Sequence, residues 1–232
     1  MQLNKIDLRK ILFLDIETVP MVANYSELPE RFKKLWDKKA SYLVKENDTP
    51  ESIFNRAGIY SEFGKIICIS VGFIREQDDE RELRIKSFAG DDEKQLLVEF
   101  SDMVRSYFNK PNSLLCGHNG KEFDFPYIAR RMLVHGIPIP EVLNTAGKKP
   151  WEVRHLDTME LWKFGDYKHF TSLDLLAAIF DIPSPKDDID GSEVAGVYYE
   201  EKNLDRIVEY CEKDVKTLVN IFLRYRGEAI FE

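Results

Sequence analysis

Two carboxylates, Asp15 and Glu17, stand two residues apart near the end of an apolar run, Ile11-Leu12-Phe13-Leu14-Asp15-Ile16-Glu17-Thr18. The run has the length of a strand, and residues i and i+2 of a strand project to one face. Both acids therefore point the same way. Like charges held together raise the energy unless protons or cations neutralise them. Hard divalent cations such as Mg²⁺ take oxygen ligands of this kind. An isolated pair like this is more often a strand end turned to water, so the other acids of the chain must decide. Asp124 closes the stretch His118-Asn119-Gly120-Lys121-Glu122-Phe123-Asp124, at a loop-to-helix junction. Asp214 follows Tyr210 by four residues, so on a helix the two share a face. Val208, Cys211, Val215 and Leu218 flank that face and make it partly buried. An acid on the inner side of a helix needs a partner, and a metal shared with Asp15 would supply one.

These residues need a scaffold, and the hydrophobic pattern outlines it. Residues 6–18 read as a first strand stopped by Pro20. A long excursion over 19–62 follows. It has one helix start at Ser26-Glu27-Leu28-Pro29-Glu30 and a second at Thr49-Pro50-Glu51-Ser52. It is either an ornamental helical insertion, or a lid or an arm that contacts substrate. Residues 65–74 are nearly all apolar or small, as in a strand buried on both faces, and 82–88 alternate as its hairpin partner. An amphipathic helix is expected over 92–108, a short strand over 113–118 and a helix with Pro126 at its first position. Another strand (153–158), a helix capped by Ser172, a short helix from Ser192 and a long helix over about 203–226 complete the chain. A hairpin followed by strand–helix alternation implies a single α/β domain with a mixed sheet and helices on its faces.

Composition narrows the function classes. The 232 residues suffice for one large domain or two small ones, and no apolar run approaches a membrane span. Met1 to Lys10 is polar and mixed in charge, unlike a secretory leader. Three widely spaced cysteines form no C-x-x-C pair, so buried thiols in a reducing cytoplasm are expected. A formal charge of −8 argues against a broad basic surface for nucleic acid. It is compatible with acids gathered at a metal site, where bound cations invert the local charge.

The motifs D-x-E-T, H-N-x-x-x-F-D-x-P-Y and Y-x-x-x-D occur in that order. Together they resemble the three motifs of the DEDD 3′–5′ exonuclease superfamily, in its Tyr-marked DEDDy branch. The likeness is closest to stand-alone predicted 3′–5′ exonucleases related to the exonuclease domain of family B DNA polymerases. Glu62 to Ser70, Ser172-Leu173-Asp174-Leu175-Leu176 and Asp190-Gly191-Ser192 with Val194 support it. It spans about 11 to 225 and accounts only weakly for 21–60. The sister branch has a histidine five residues before the last Asp; that position here is Glu209.

The resemblance implies an RNase H-like fold in which Asp15, Glu17, Asp124 and Asp214 coordinate metal. Two Mg²⁺ or Mn²⁺ ions about 3.5–4 Å apart would clamp the scissile phosphate, with Asp15 as the bridge. Tyr210 would orient the attacking water, since a phenol of ordinary pKa is a poor base at neutral pH. The implied substrate is the 3′ end of a single strand, DNA favoured over RNA, released as nucleoside 5′-monophosphates in repair or end trimming. Ile16 and Thr18 are expected to offer backbone contacts to the terminal nucleotide, and Asn119 and Phe123 to touch the next sugar or base. Phe123 is equally read as a core anchor, His118 as support for its turn and Asp157 as structural. Lys148, Lys149, Arg154, Lys163, Lys168 and His169 interleave with Trp151, Trp162, Phe164, Tyr167 and Phe170. That mix suits a single-strand track, or equally a solvated face over aromatics. RNA as substrate, and a catalytically silent binding module on the same fold, are the competing expectations.

Overall fold

The computed structural model describes residues 2–77, 80–166, 170–183 and 189–232. Its elements are β1 (Ile11–Pro20), α1 (Glu30–Ala40), β2 (Gly64–Gln77), β3 (Glu80–Ala89), α2 (Glu93–Tyr107), β4 (Leu114–Gly117), α3 (Asp124–Val134), β5 (Leu156–Asp157), α4 (Thr158–Lys163), α5 (Leu173–Ile179), α6 (Val194–Gly196) and α7 (Leu204–Arg226). Among the described residues the strands form one sheet in the order β3-β2-β1-β4-β5. The β1–β2 and β2–β3 pairs are antiparallel, while β1–β4 and β4–β5 are parallel. The expected mixed, RNase H-like sheet with helices on both faces is borne out.

β1 is the central strand, and Ile11, Leu12, Phe13 and Leu14 are all fully buried. Its two faces go to different helices. Leu12, Leu14 and Ile16 pack with Leu96, Leu97 and Phe100 of α2 and Ile128 and Met132 of α3. Ile11 and Phe13 pack with Val215, Leu218, Val219 and Phe222 of α7. Side-chain alternation then puts Asp15 and Glu17 on the α7 side. β4 pairs with β1 only along Ile11–Phe13, whereas β2 accompanies β1 through to Pro20. The edge of β1 beyond Phe13 is thus left open on the β4 side.

Several boundaries differ from those expected. β1 begins at Ile11 because Leu3–Lys5 and Leu8–Lys10 form 3₁₀ turns, the second capped by the Asp7 carboxylate on the Arg9 N–H. It runs through Pro20, which still aligns with Gly64. Pro126 is the third residue of α3, where its missing N–H has no intrahelical acceptor to lose. The strand expected over 153–158 shrinks to Leu156–Asp157. The second helix start in the insertion gives a turn and a 3₁₀ helix, Phe54–Ile59. That insertion has its own small core, in which Trp36 meets Phe63 and Phe54 edge-on at 5.3 and 5.6 Å. α7, capped by Asn203 on the Arg206 N–H, begins within a residue of expectation. No helix among the described residues is long and apolar enough to cross a membrane.

One buried ionic cluster ties the layers together. Glu93, at the start of α2, accepts the Ile66 N–H of β2 at 2.7 Å and the Arg131 Nε–H of α3 at 2.8 Å. His135 Nε2 lies 2.7 Å from the same carboxylate, and Arg131 also donates to the Ser61 carbonyl. Burial by itself raises the Glu93 carboxyl, but Arg131, the Ile66 N–H and His135 outweigh it and hold the group below its ordinary value. Glu93→Ala, which strands the Arg131 charge, is expected to cost about 3–5 kcal/mol in a urea titration. The folded pKa is the lower one, so the unfolded chain takes up this proton first on acidification. The wild-type contribution is therefore full above about 4.5, the ordinary value, and is lost as pH falls through the lower folded value. Stability of Glu93→Ala should accordingly change less than that of the wild type across this acidic window.

Candidate active site

The open edge of β1 is where the acids meet. Asp124, the first residue of α3, accepts the Ile16 N–H at 3.2 Å, a donor that β4 would have to satisfy if it ran further. That bond fixes the start of α3 against β1. It also commits the Ile16 amide, so the backbone contact expected from Ile16 cannot use its N–H. On the other side α7 supplies Tyr210 and Asp214 one turn apart, with a hydrogen bond between them. Cys211 of α7 donates its Sγ–H to Asp15 Oδ2 at 3.4 Å. Ligand atoms of Asp15, Glu17 and Cys211 all lie within 4.8 Å of one another.

Electrostatics show how close the four carboxylates stand. Asp15 is pushed well up by burial, then by Asp124, Asp214 and Glu17. Glu17 is raised by burial, Asp214, Cys68 and Asp124. Burial lifts Asp124 to about 7, with Asp157 and Asp214 adding to the rise and its hydrogen bonds opposing it. Tyr210 rises through burial and then through Asp214, Glu17 and Asp15, so its phenol stays protonated. Burial, with Cys68, Asp15 and Glu17 behind it, also keeps the Cys211 thiol neutral. The donors left facing the cleft are hard carboxylate oxygens, whose mutual repulsion a divalent cation would relieve.

All nine residues singled out in the sequence line one cleft of about 380 Å³: Asp15, Ile16, Glu17, Thr18, Asn119, Phe123, Asp124, Tyr210 and Asp214. The volume falls in the range of clefts that hold ligands of nucleotide size. Asn119 takes a left-handed backbone, φ +62°, a conformation Asn tolerates better than most. Its side-chain Oδ1 is buried with no hydrogen-bond partner in the described structure. Phe123 packs on Tyr127 at 5.4 Å and also lines the cleft.

The supporting residues do what the sequence suggested. Asp157 accepts four N–H groups, those of Asn119, Lys121, Met159 and Glu160, at 3.0–3.2 Å. It thereby locks the 118–122 loop to the start of α4. His118 lies 2.9 Å from both the Thr158 hydroxyl and the Thr171 carbonyl. A carbonyl only accepts, so Nε2 carries the proton, and burial holds the ring neutral by lowering its pKa. The basic–aromatic stretch divides. Trp162 stacks on Tyr225 at 6.2 Å, Phe170 lines the cleft, and Lys148 and Arg154 border a separate groove. Tyr167, Lys168 and His169 lie outside the described residues. All three cysteines are buried and free, as expected.

The cleft also has a wall whose residues the sequence did not single out. Asn55, Arg56, Gly58 and Ile59 come from the end of the insertion. No periodic pattern marks this segment, and only its tertiary contact with β1 makes it part of the site. Gly58 is pressed against β1, where an added Cβ would stand 3.0 Å from the Val19 carbonyl carbon.

Comparison with known proteins finds relatives by sequence and by fold. Residues 59–229 match the model of a family described as predicted 3′–5′ exonucleases related to the exonuclease domain of PolB. A DNA polymerase of Pyrococcus glycovorans is 23% identical over 137 residues, which is 53% of this chain and 17% of that polymerase. The family B DNA polymerase of the hyperthermophilic archaeon Pyrobaculum calidifontis superposes with a TM-score of 0.55 at 16% identity, over 93% of this chain and 24% of that one. The likeness to the latter is one of fold, and this chain spans less than a quarter of either polymerase.

Asp157→Ala removes one acceptor from four N–H groups and is expected to cost about 3 kcal/mol in a urea titration. A loss below about 1 kcal/mol would mean that water replaces the carboxylate without consequence.

Proposed function

The chain belongs to the family of predicted 3′–5′ exonucleases related to the exonuclease domain of PolB. From that premise we propose that it hydrolyses phosphodiester bonds at the 3′ ends of single-stranded nucleic acid, DNA in preference, releasing nucleoside 5′-monophosphates. The observation that carries this is the convergence of Asp15, Glu17, Asp124 and Asp214, with Tyr210, in one nucleotide-sized cleft. In this reading residues 1–232 act as one exonuclease domain.

Asp15, Glu17, Asp124 and Asp214 would hold two divalent cations, Mg²⁺ or Mn²⁺, which lower the pKa of a bound water and neutralise charge on phosphate and leaving oxygen. The protein's own part is positioning. Asp15 and Glu17 are presented by a strand clamped between two helical layers, so their spacing barely changes on binding. Asp124 is held by the Ile16 N–H. Tyr210 keeps its proton beside three acids. It therefore acts through its hydroxyl as a hydrogen-bonding group that aims the attacking water, not as the base that deprotonates it. The buried, unpartnered Oδ1 of Asn119 would accept from a sugar hydroxyl or a base N–H. Thr18 borders the terminal nucleotide and Phe123 the next sugar or base, with Phe123 stiffened by Tyr127 behind it.

The test is digestion of 5′-labelled single strands of DNA and RNA of one sequence, with Mg²⁺ or Mn²⁺ and with EDTA. A metal-dependent ladder that shortens from the 3′ end, faster on DNA, is expected. Asp124→Asn should lower kcat by about a thousandfold or more, in line with loss of a group that stabilises the transition state. Tight binding without cleavage would instead identify a silent binding module.

The same variant has a signature independent of activity. Neutralising one of four mutually repelling carboxylates is expected to raise Tm in EDTA and to diminish the further rise that Mg²⁺ or Mn²⁺ produces in the wild type. A wild-type Tm indifferent to both cations would count against the metal centre.

A further inference from the structure

Arg56 is the one Lys or Arg among the described residues that line the cleft. It faces four carboxylates across a space that must admit a polyanion, in a chain of formal charge −8. Its side chain is exposed, and its guanidinium has no hydrogen bond or ion pair among the described residues. Arg56 belongs to the 3₁₀ helix Phe54–Ile59. Residues three apart eclipse on such a helix, so Arg56 and Ile59 stand on one face. Ile59 is 52% exposed although apolar, and it too lines the cleft. Phe54 and Ala57, likewise three apart, form a buried face of the same helix. The helix is pinned, because Tyr127 donates its hydroxyl to the Gly58 carbonyl at 2.8 Å and Gly58 abuts β1. Arg56 precedes the segment matched by the family, which begins at Ile59.

We propose that this face of the insertion is a substrate-binding wall, in which Arg56 takes a backbone phosphate of the single strand and Ile59 packs on the adjoining sugar or base. The inference rests on the function proposed above and adds to it a binding group outside the acidic motifs. The chemistry is that of a phosphodiester away from the metal-holding carboxylates. Such a phosphate gains no charge neutralisation from those acids, so it needs a cation of its own, and a guanidinium fits phosphate oxygens in a fork. The exposed aliphatic side chain beside it suits apolar contact with the less polar part of the same nucleotide.

The experiment is equilibrium binding of a short 5′-labelled deoxythymidine homopolymer by fluorescence anisotropy, in Ca²⁺ across a KCl series, paired with kcat and KM in Mg²⁺. Arg56→Ala is expected to raise Kd and KM about tenfold and to reduce the slope of log K against log salt by about 0.7, the release expected for one phosphate contact on a single strand. Its kcat at saturation should stay within about twofold and its Tm should be unchanged, since the position is on the surface. Arg56→Lys should keep the slope, and Ile59→Ser should raise Kd with the slope intact. An Arg56→Ala protein with unaltered Kd and slope, or one that loses kcat while keeping Kd, overturns this inference and leaves the proposed exonuclease standing. A wild type that neither binds nor shortens the strand overturns both together.

Discussion

Four carboxylates that repel one another are held in a mostly buried pocket, and the rest of the structure is arranged so that they cannot move apart. The sheet does the first part of this. β4 leaves β1 after Phe13 while β2 continues to Pro20, so β1 has one paired edge and one open edge over Asp15 and Glu17. Into the open edge comes Asp124, which takes the amide that a longer β4 would have used. α7 closes the other side, and its apolar residues on Phe13 fix the rotation that turns Tyr210 and Asp214 inward. Each acid thus rides on an element that is anchored by something other than the site.

Such a site lowers the stability of the empty fold, because burial and like charge both raise the carboxyls. The opposing stabilisation is spread over the two apolar faces of β1 and over two polar anchors. Glu93 joins α2, α3 and β2 through Arg131 and the Ile66 N–H. Asp157 gathers four N–H groups behind the 118–122 loop. Both anchors are carboxylates satisfied by donors, the reverse of the acids in the cleft. The contrast separates the carboxylates that anchor the fold from those gathered in the cleft by environment, where the residue type alone does not.

Much of this was legible in the sequence. Asp15 and Glu17 could be placed together because the strand period is two, and Tyr210 with Asp214 because a helix brings i and i+4 onto one side. Asp124 required the motif, since no local period relates it to β1. Asp157 could be seen as an acid at a strand end, but its four donors come from two segments that only the fold unites. The start of β1 was misjudged because Ile6 and Leu8 continue the apolar character while the backbone there turns in 3₁₀ fashion. The insertion was the least legible part. Its aromatic residues form a small core of their own, and nothing in the spacing of Asn55, Arg56 and Ile59 shows that they look into the cleft.

The junction beneath that wall has a mechanical consequence. Gly58 and Gly64 face each other where the insertion rejoins the sheet. A methyl at Gly58 would meet the β1 backbone at 3.0 Å, and one at Gly64 would meet the Tyr127 hydroxyl at 2.3 Å and the Gly58 carbonyl at 2.8 Å. The separation between insertion and sheet is therefore set by the absence of two carbon atoms. At Gly58 backbone rests on backbone, and at Gly64 the buried Tyr127 hydroxyl, itself bonded to the Gly58 carbonyl, fills the remaining space. The aperture of the cleft is then a hard dimension, gauged by the thickness of the polypeptide itself.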